Sequence, residues 1–395
     1  MSGLRIAHYL ASMDMRDGGV VRAVLDLSES LVHAGHRVTV LTLNDRDIPA
    51  AWARGTPWAS DKVPGSVLIG PRLRGGVIGS GTVGAARNIV AGADVAHIHA
   101  MWLPSNEQVA RACRAVGTPY VWSPHGMLDD WCMAQSPLRK RAYHTVFARR
   151  ALAGAAAMHC TAEAELDQAS KWFGGAKSRG VVIPLPFDLA DYRDLPGPEA
   201  ARVKFGLREG EPTLLFLSRL HTKKGVGTLV RAVGVLRERG RAVRLVIAGG
   251  GDEAYERELR QIVDTLKLGD CVLFAGFVYG REKVSLYQAA DAFVLPSSQE
   301  NFGYVVVEAM AARTPVITTR GVALWPQLER ERAAVLVEPE VGPLAAAILG
   351  VLDDPAGARA MAERGRAWCM KELDPSRIIA GFVEMYERAA AGRAN

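Results

Sequence analysis

Apolar runs rich in valine, isoleucine and leucine alternate along this chain with longer stretches whose apolar positions recur at helical spacing. Leu4–Tyr9 reads as a buried strand. Gly19–His33 reads as a helix, with Val20, Val24, Leu27 and Leu31 along one stripe and Gly35 as its stop. Arg37–Leu43 is the next strand, and Val95–His99, Tyr120–Ser123, Ala157–Cys160 and Val181–Ile183 follow. These runs are apolar on both faces, which predicts a parallel sheet covered by helices. Asp188–Pro198, rich in proline, aspartate and glycine, breaks the rhythm and reads as a linker.

The pattern then restarts. Strands are predicted at Thr213–Ser218, Arg244–Ala248, Val272–Ala275, Ala292–Pro296 and Pro315–Thr318. Helices are predicted at Gly225–Arg239, Ala254–Leu266, Glu282–Ala289 and Tyr304–Ala311. The fold class is therefore α/β, with two Rossmann-like domains in tandem, over 1–187 and 188–375, and their parallel sheets facing a central cleft. A last amphipathic helix at Ile378–Ala389, within 376–395, is expected to pack back on the first half. Ligands in open α/β sheets bind beyond the carboxyl ends of the strands, so the chemistry is expected there.

With 395 residues the chain is long enough for two cores. Apolar residues at 49% and charged residues at 23% describe a globular protein. No apolar run approaches the roughly 20 residues that span a bilayer, and the start Met1–Ala7 resembles no secretory signal. The five cysteines are scattered without a C-x-x-C, which argues against a disulfide framework or zinc site and suits a cytoplasmic protein. A net charge of +6 and a pI near 9.1 suit phosphate-bearing ligands or the inner face of an anionic membrane.

Gly79-Ser80-Gly81-Thr82-Val83-Gly84 matches G-x-G-x-x-G but lacks a preceding strand and a suitably spaced acid, so it reads as a flexible loop rather than a dinucleotide fingerprint. The informative segments lie in the second half. In Leu295–Met310 a strand ends, a polar loop carries Glu300, and a helix carrying Glu308 begins. Free N–H groups at such a helix start favour anionic or hydroxyl oxygens, and carboxylates accept from paired hydroxyls. In Leu217–Gly225, Arg219 offers a planar fork and Lys224 a point charge before a helix; together they suit a diphosphate.

Arg219…Lys224-Gly225 followed by Glu300-x7-Glu308 resembles the donor half of the retaining GT-B glycosyltransferases of the group-1 (GT4) family. Asp94-Val-Ala-His97-Ile-His99, Ser123-Pro124-His125-Gly126-Met127-Leu128 and Thr314-Pro315-Val316-Ile317 extend the resemblance over almost the whole chain. The resemblance implies transfer of a sugar from a nucleotide-diphosphate-sugar, UDP or GDP, to a saccharide, glycolipid or glycosylated metabolite, with retention, no metal and no other cofactor. Arg219 and Lys224 would hold the diphosphate and Glu308 the ribose. Glu300 would lie by the transferred sugar, with the backbone of Asn301, Phe302 and Gly303 near its hydroxyls. Gly276-Phe277-Val278 would meet the base, and Gly18-Gly19 would let backbone approach the diphosphate or acceptor. His125 would act with Glu300, Arg219 and Lys224 in catalysis. The chain departs from the family at Arg313, where glycine is usual, and at Leu185-Pro186, where Asn-Gly is usual.

Blander readings stand beside these. Arg219 and Lys224 fit a surface charge pair, and Glu300 fits a carboxylate favouring a helix dipole. His97 and His99 alternate on a strand and face one way, which suits a buried hydrogen-bonded role as well as a ligand. His125, at a strand end, favours ligand contact, and His99, Trp102, His125 and Trp131 are the candidate acceptor contacts. Arg139–Arg150 is basic with interleaved aromatics and fits either a solvated helix or a peripheral membrane contact, with nothing else that suggests nucleic acid. The competing functions are a nucleotide-sugar epimerase, a phosphorylase of the same plan, and a non-catalytic nucleotide-sugar-binding protein.

Overall fold

The computed structural model describes residues 3–58, 60–173 and 179–392. The chain forms two compact units, Met1–Phe187 with Pro375–Asn395, and Asp188–Asp374.

In the first unit the strands are β1 (Arg5–Tyr9), β2 (Arg37–Thr42), β3 (Ala53–Arg54), β4 (Gly65–Leu68), β5 (Val95–His99), β6 (Tyr120–Ser123), β7 (Ala157–Cys160) and β8 (Gly180–Val182). They form one parallel sheet in the order β3-β4-β2-β1-β5-β6-β7-β8. Chain order reverses between β1 and β5, so the switch point lies at their carboxyl ends. Both faces are covered, as the unbroken apolar runs require. The helix Gly19–His33 buries Val21, Val24, Leu27 and Leu31, and Gly18, at φ 112°, opens it in a backbone conformation that favours glycine. The last helix, Pro375–Ala391, buries Ile378, Phe382 and Tyr386 within this same unit.

In the second unit β9 (Thr213–Leu217), β10 (Arg244–Ala248), β11 (Val272–Gly276), β12 (Ala292–Leu295), β13 (Val316–Thr318) and β14 (Val335–Leu336) run parallel in the order β11-β10-β9-β12-β13-β14. Its switch point lies between β9 and β12. These are the two strands that lead into the segments carrying Arg219 with Lys224 and Glu300 with Glu308.

Two expectations change. The glycine-rich 79–84 segment is not a loop, because Ser80–Ala91 is a helix that buries Thr82, Ala86, Ile89 and Val90. Glycine weakens a helix by about 1 kcal/mol per residue, and packing against the helix Pro104–Val116 outweighs that here. The linker Asp188–Pro198 holds a short helix at Ala190–Arg193, anchored by buried Tyr192. Among the described residues no single helix is long and apolar enough to cross a membrane. Val341–Asp353 and Pro355–Glu372 reach the required length only as a pair bent by 99°.

Candidate active site

The loop after β9 and the loop after β12 are tied into one body. Ser298 N–H donates to the carbonyl of Lys223 at 2.8 Å, and the Ser297 and Ser298 hydroxyls donate to it at 3.1 Å. Lys223 Nζ returns a bond to Gln299 Oε1 at 3.0 Å. Gly225 permits this approach: its φ is 71°, and a Cβ there would lie 2.2 Å from the Pro296 carbonyl oxygen. On the far side Glu300 N–H donates to Gly321 O at 2.8 Å, and Ala323 N–H to Glu300 O at 3.0 Å.

Within this body Lys224 is buried and forms an ion pair with Glu300. Burial, with Lys223 and Arg219 nearby, pushes its ammonium down to about 7, against the pull of the Glu300 carboxylate. A buried charge is costly unless it is paired, so this cation is a built feature and not part of a solvated surface pair. Arg219 stands exposed at the end of β9. The helix Tyr304–Ala311 begins at Gly303, in the left-handed region and without a side-chain cap, which leaves its N-terminus fit to face oxygen atoms. Phe302 is buried and packs edge-on against Tyr304, so only its backbone is available to a ligand.

Glu308 is held from two sides: Lys283 Nζ donates to Oε1 at 2.7 Å and Tyr287 O–H to Oε2 at 2.9 Å. Both partners were missed in the sequence, although they lie one turn apart on the helix Gly280–Ala289, a spacing that puts them on one face. The carboxylate still has lone pairs to offer. Val278 is buried, whereas Phe277 and Tyr279 beside it are exposed and stack with centroids 6.0 Å apart.

In the first unit the carboxyl ends of β5 and β6 carry three non-glycine residues with positive φ, Ala100 at 66°, Trp102 at 68° and His125 at 52°. Such strain persists where surrounding structure enforces it, and it concentrates at functional sites. The His125 loop is fixed by buried Glu165, whose Oε1 accepts from Gly126 N–H at 2.6 Å and whose Oε2 accepts from the Thr161 N–H and O–H at 2.7 Å. Sequence reasoning missed Glu165 because it lies on the helix after β7 and bonds to the loop after β6, 39 residues earlier. Trp131 is half-exposed. Trp102 meets Tyr143 edge-on, with Lys140 Nζ 5.2 Å from its ring centre.

His99, expected among the acceptor contacts, is buried, with Nδ1 bonded to His125 Nε2 at 3.0 Å and Nε2 to His8 Nδ1 at 2.8 Å, so both of its ring nitrogens are engaged behind His125. His8, His97 and His99 bring ring nitrogens within 4.8 Å of one another, a spacing that a metal would accept. Both nitrogens of His97 are already engaged, with Tyr386 at 2.7 Å and Ser123 at 2.6 Å.

The sequence profile of glycosyl transferases group 1 matches residues 198–368, and that of the glycosyl transferase 4-like domain matches residues 18–186. The D-inositol 3-phosphate glycosyltransferase of Kineococcus radiotolerans is 30% identical over 319 residues, 76% of this chain and 73% of that protein. The chain belongs to the group-1 glycosyltransferases. Among solved structures, the sucrose-phosphate synthase of Thermosynechococcus elongatus superposes with a TM-score of 0.76 at 24% identity, covering 98% of this chain and 100% of that one. Anabaena HepE in complex with UDP gives 0.78 at 20% identity, covering 96% and 99%. These two likenesses establish the GT-B plan of two Rossmann-like domains for this glycosyltransferase.

Proposed function

We propose that this glycosyltransferase moves a sugar from a nucleotide-diphosphate-sugar held by the second unit to a hydroxyl of a saccharide, glycolipid or glycosylated metabolite held by the first. The observation that carries this reading is the buried Lys224, set beside Glu300 where two loops meet at the switch point of the second sheet. Lys224 and Arg219 stabilise the charge that the diphosphate gains on leaving, which makes a metal unnecessary. Glu308, braced by Lys283 and Tyr287, receives the ribose hydroxyls. UDP is the favoured nucleotide, since HepE was crystallised with it. Trp102, His125 and Trp131 then serve the acceptor side, and no cofactor beyond the donor is needed.

The reaction proceeds with retention in this reading. An inverting displacement needs a general base beside the acceptor, a carboxylate or a histidine. Glu165, the carboxylate bound to the His125 loop, is buried and spends both oxygens on backbone and hydroxyl donors. The departing phosphate can instead take the acceptor proton on the same face. Incubation with UDP-, GDP-, ADP- and dTDP-sugars in EDTA, followed by NMR of the fresh product, tests this. Transfer with the donor's anomeric configuration is expected. An inverted product, or activity that needs added Mg²⁺, contradicts it.

A peripheral membrane contact belongs to the same reading. The helical segment 137–153 exposes Leu138 at 82%, Val146 at 70% and Phe147 at 54%, interspersed with exposed Arg139, Arg141, Arg149 and Arg150. Apolar side chains among cations suit an anionic lipid surface.

A further inference from the structure

One face of four adjacent strands of the first sheet carries His8 on β1, His97 and His99 on β5, Ser123 on β6 and His159 on β7, beneath Tyr386 of the last helix. All of these side chains are buried. Burial holds the four histidines and His125 well below the ordinary imidazole range, so each carries a single ring proton at neutral pH. Where each proton sits follows from the partners.

The first chain is fixed at its far end. His159 Nε2 lies 2.8 Å from the carbonyl oxygen of Ile183, which can only accept, so Nε2 carries the proton and Nδ1 is bare. Ser123 O–H therefore donates to His159 Nδ1 at 2.6 Å. His97 Nε2–H donates to Ser123 Oγ at 2.6 Å, and Tyr386 O–H donates to His97 Nδ1 at 2.7 Å. The second chain runs His8 Nδ1, His99 Nε2, His99 Nδ1, His125 Nε2, and it admits two directions. Its far end decides. His8 Nε2 is buried and has no partner. An orphaned buried N–H is rarer and costlier than an orphaned lone pair. His8 therefore carries its proton on Nδ1 and donates to His99 Nε2, and His99 Nδ1–H donates to His125 Nε2.

We infer that His8 and His99 are positioning residues that lock His125 as its Nδ1–H tautomer. His125 then meets the substrate as a hydrogen-bond donor to an oxygen atom and not as a base. Among the described residues its Nδ1 has no other partner. This inference rests on the proposed placement of His125 at the substrate, and it deepens that reading: with His125 unable to accept at Nδ1, the acceptor proton must go elsewhere, as the retaining route requires.

The test is long-range ¹⁵N–¹H NMR on histidine-labelled protein at neutral pH, with signals assigned by single His→Asn variants. The expected result is a protonated Nδ1 and bare Nε2 on His125 and on His99. The reverse pattern on His125 overturns the inference without touching the proposed function. Turnover supplies a second readout, with melting temperature as the folding control. His99→Ala is expected to lower kcat on the order of tenfold or more. His99→Asn, whose amide N–H lies where Nδ1–H was, is expected to recover most of that loss. His99→Asp, which accepts a hydrogen bond from His125, should make the rate at saturating donor fall more steeply with rising pH than it does in the wild-type protein. If the tautomer is as inferred but turnover ignores all three variants, the lock has no catalytic role, and the fault lies in the placement of His125 at the substrate.

Discussion

Arg313 holds its backbone at φ 65°, in the left-handed region, at the position where the family usually has glycine. A side chain there costs on the order of 1–2 kcal/mol. The exposed ion pair with Glu363 at 3.2 Å returns little of it. Arg313→Gly is therefore expected to stabilise the second unit by about 0.5–1 kcal/mol net of glycine's greater chain entropy, visible as a rise in melting temperature with turnover unchanged. No rise would mean that the ion pair matters more than its exposure suggests. Lys224 gives a prediction in pH. Its ammonium, pushed down to about 7 by burial, is the form that would meet the diphosphate in the proposed function, and its charge is lost as pH rises through that value. Donor KM in the free enzyme is expected to climb above about pH 7. The rate at saturating donor should fall less, because bound phosphate holds the proton. A flat KM profile across neutrality would count against the phosphate role of Lys224.

The loops after β9 and β12 act as one element because glycine lets them touch. Gly225→Ala puts a Cβ 2.2 Å from the Pro296 carbonyl oxygen and forces a left-handed backbone on alanine. It should cost more than about 1 kcal/mol of stability, and it should cost donor affinity as well, since Lys224 and Ser298 move with it. Intact donor binding in that variant would show that the loop contact is dispensable. Periodicity made the strands β5, β6, β9, β10 and β12 legible, because a buried parallel strand has to be apolar throughout. It did not reveal the helix Ser80–Ala91, whose glycines mask a stripe held by packing on its neighbour. Arg219, Lys224, Glu300 and Glu308 were legible as candidates because strand ends followed by helix starts mark where ligands bind, and the structure pairs two of them, Lys224 and Glu300. Lys283 and Tyr287, which brace Glu308, were not, since nothing local links the helix Gly280–Ala289 to residue 308. The histidine chains were half-legible: alternation put His97 and His99 on one face, but their partners His8, His159 and Tyr386 come from distant strands and the last helix.

At the scale of the molecule the chain is two α/β units, to which the proposed function gives different tasks. The second carries the cations and the braced carboxylate, while the first carries the strained strand ends, the histidine chains and the basic, apolar segment 137–153. Replacing Arg139, Lys140 and Arg141 together with serine should weaken binding to anionic liposomes and leave slow donor hydrolysis intact. If donor hydrolysis falls and liposome binding does not, the assignment of tasks is wrong. The central claim is that the second unit grips a nucleoside diphosphate through Lys224 and Glu308, and the most direct test is thermal unfolding of the wild-type protein, Lys224→Ala and Glu308→Gln with and without UDP. At about 100 times Kd, bound UDP adds about 2.7 kcal/mol to the stability of the wild-type protein. The account predicts a clear rise in melting temperature for the wild-type chain that is largely lost in both variants; an equal rise in all three, or none in the wild-type protein with any nucleoside diphosphate, would contradict it.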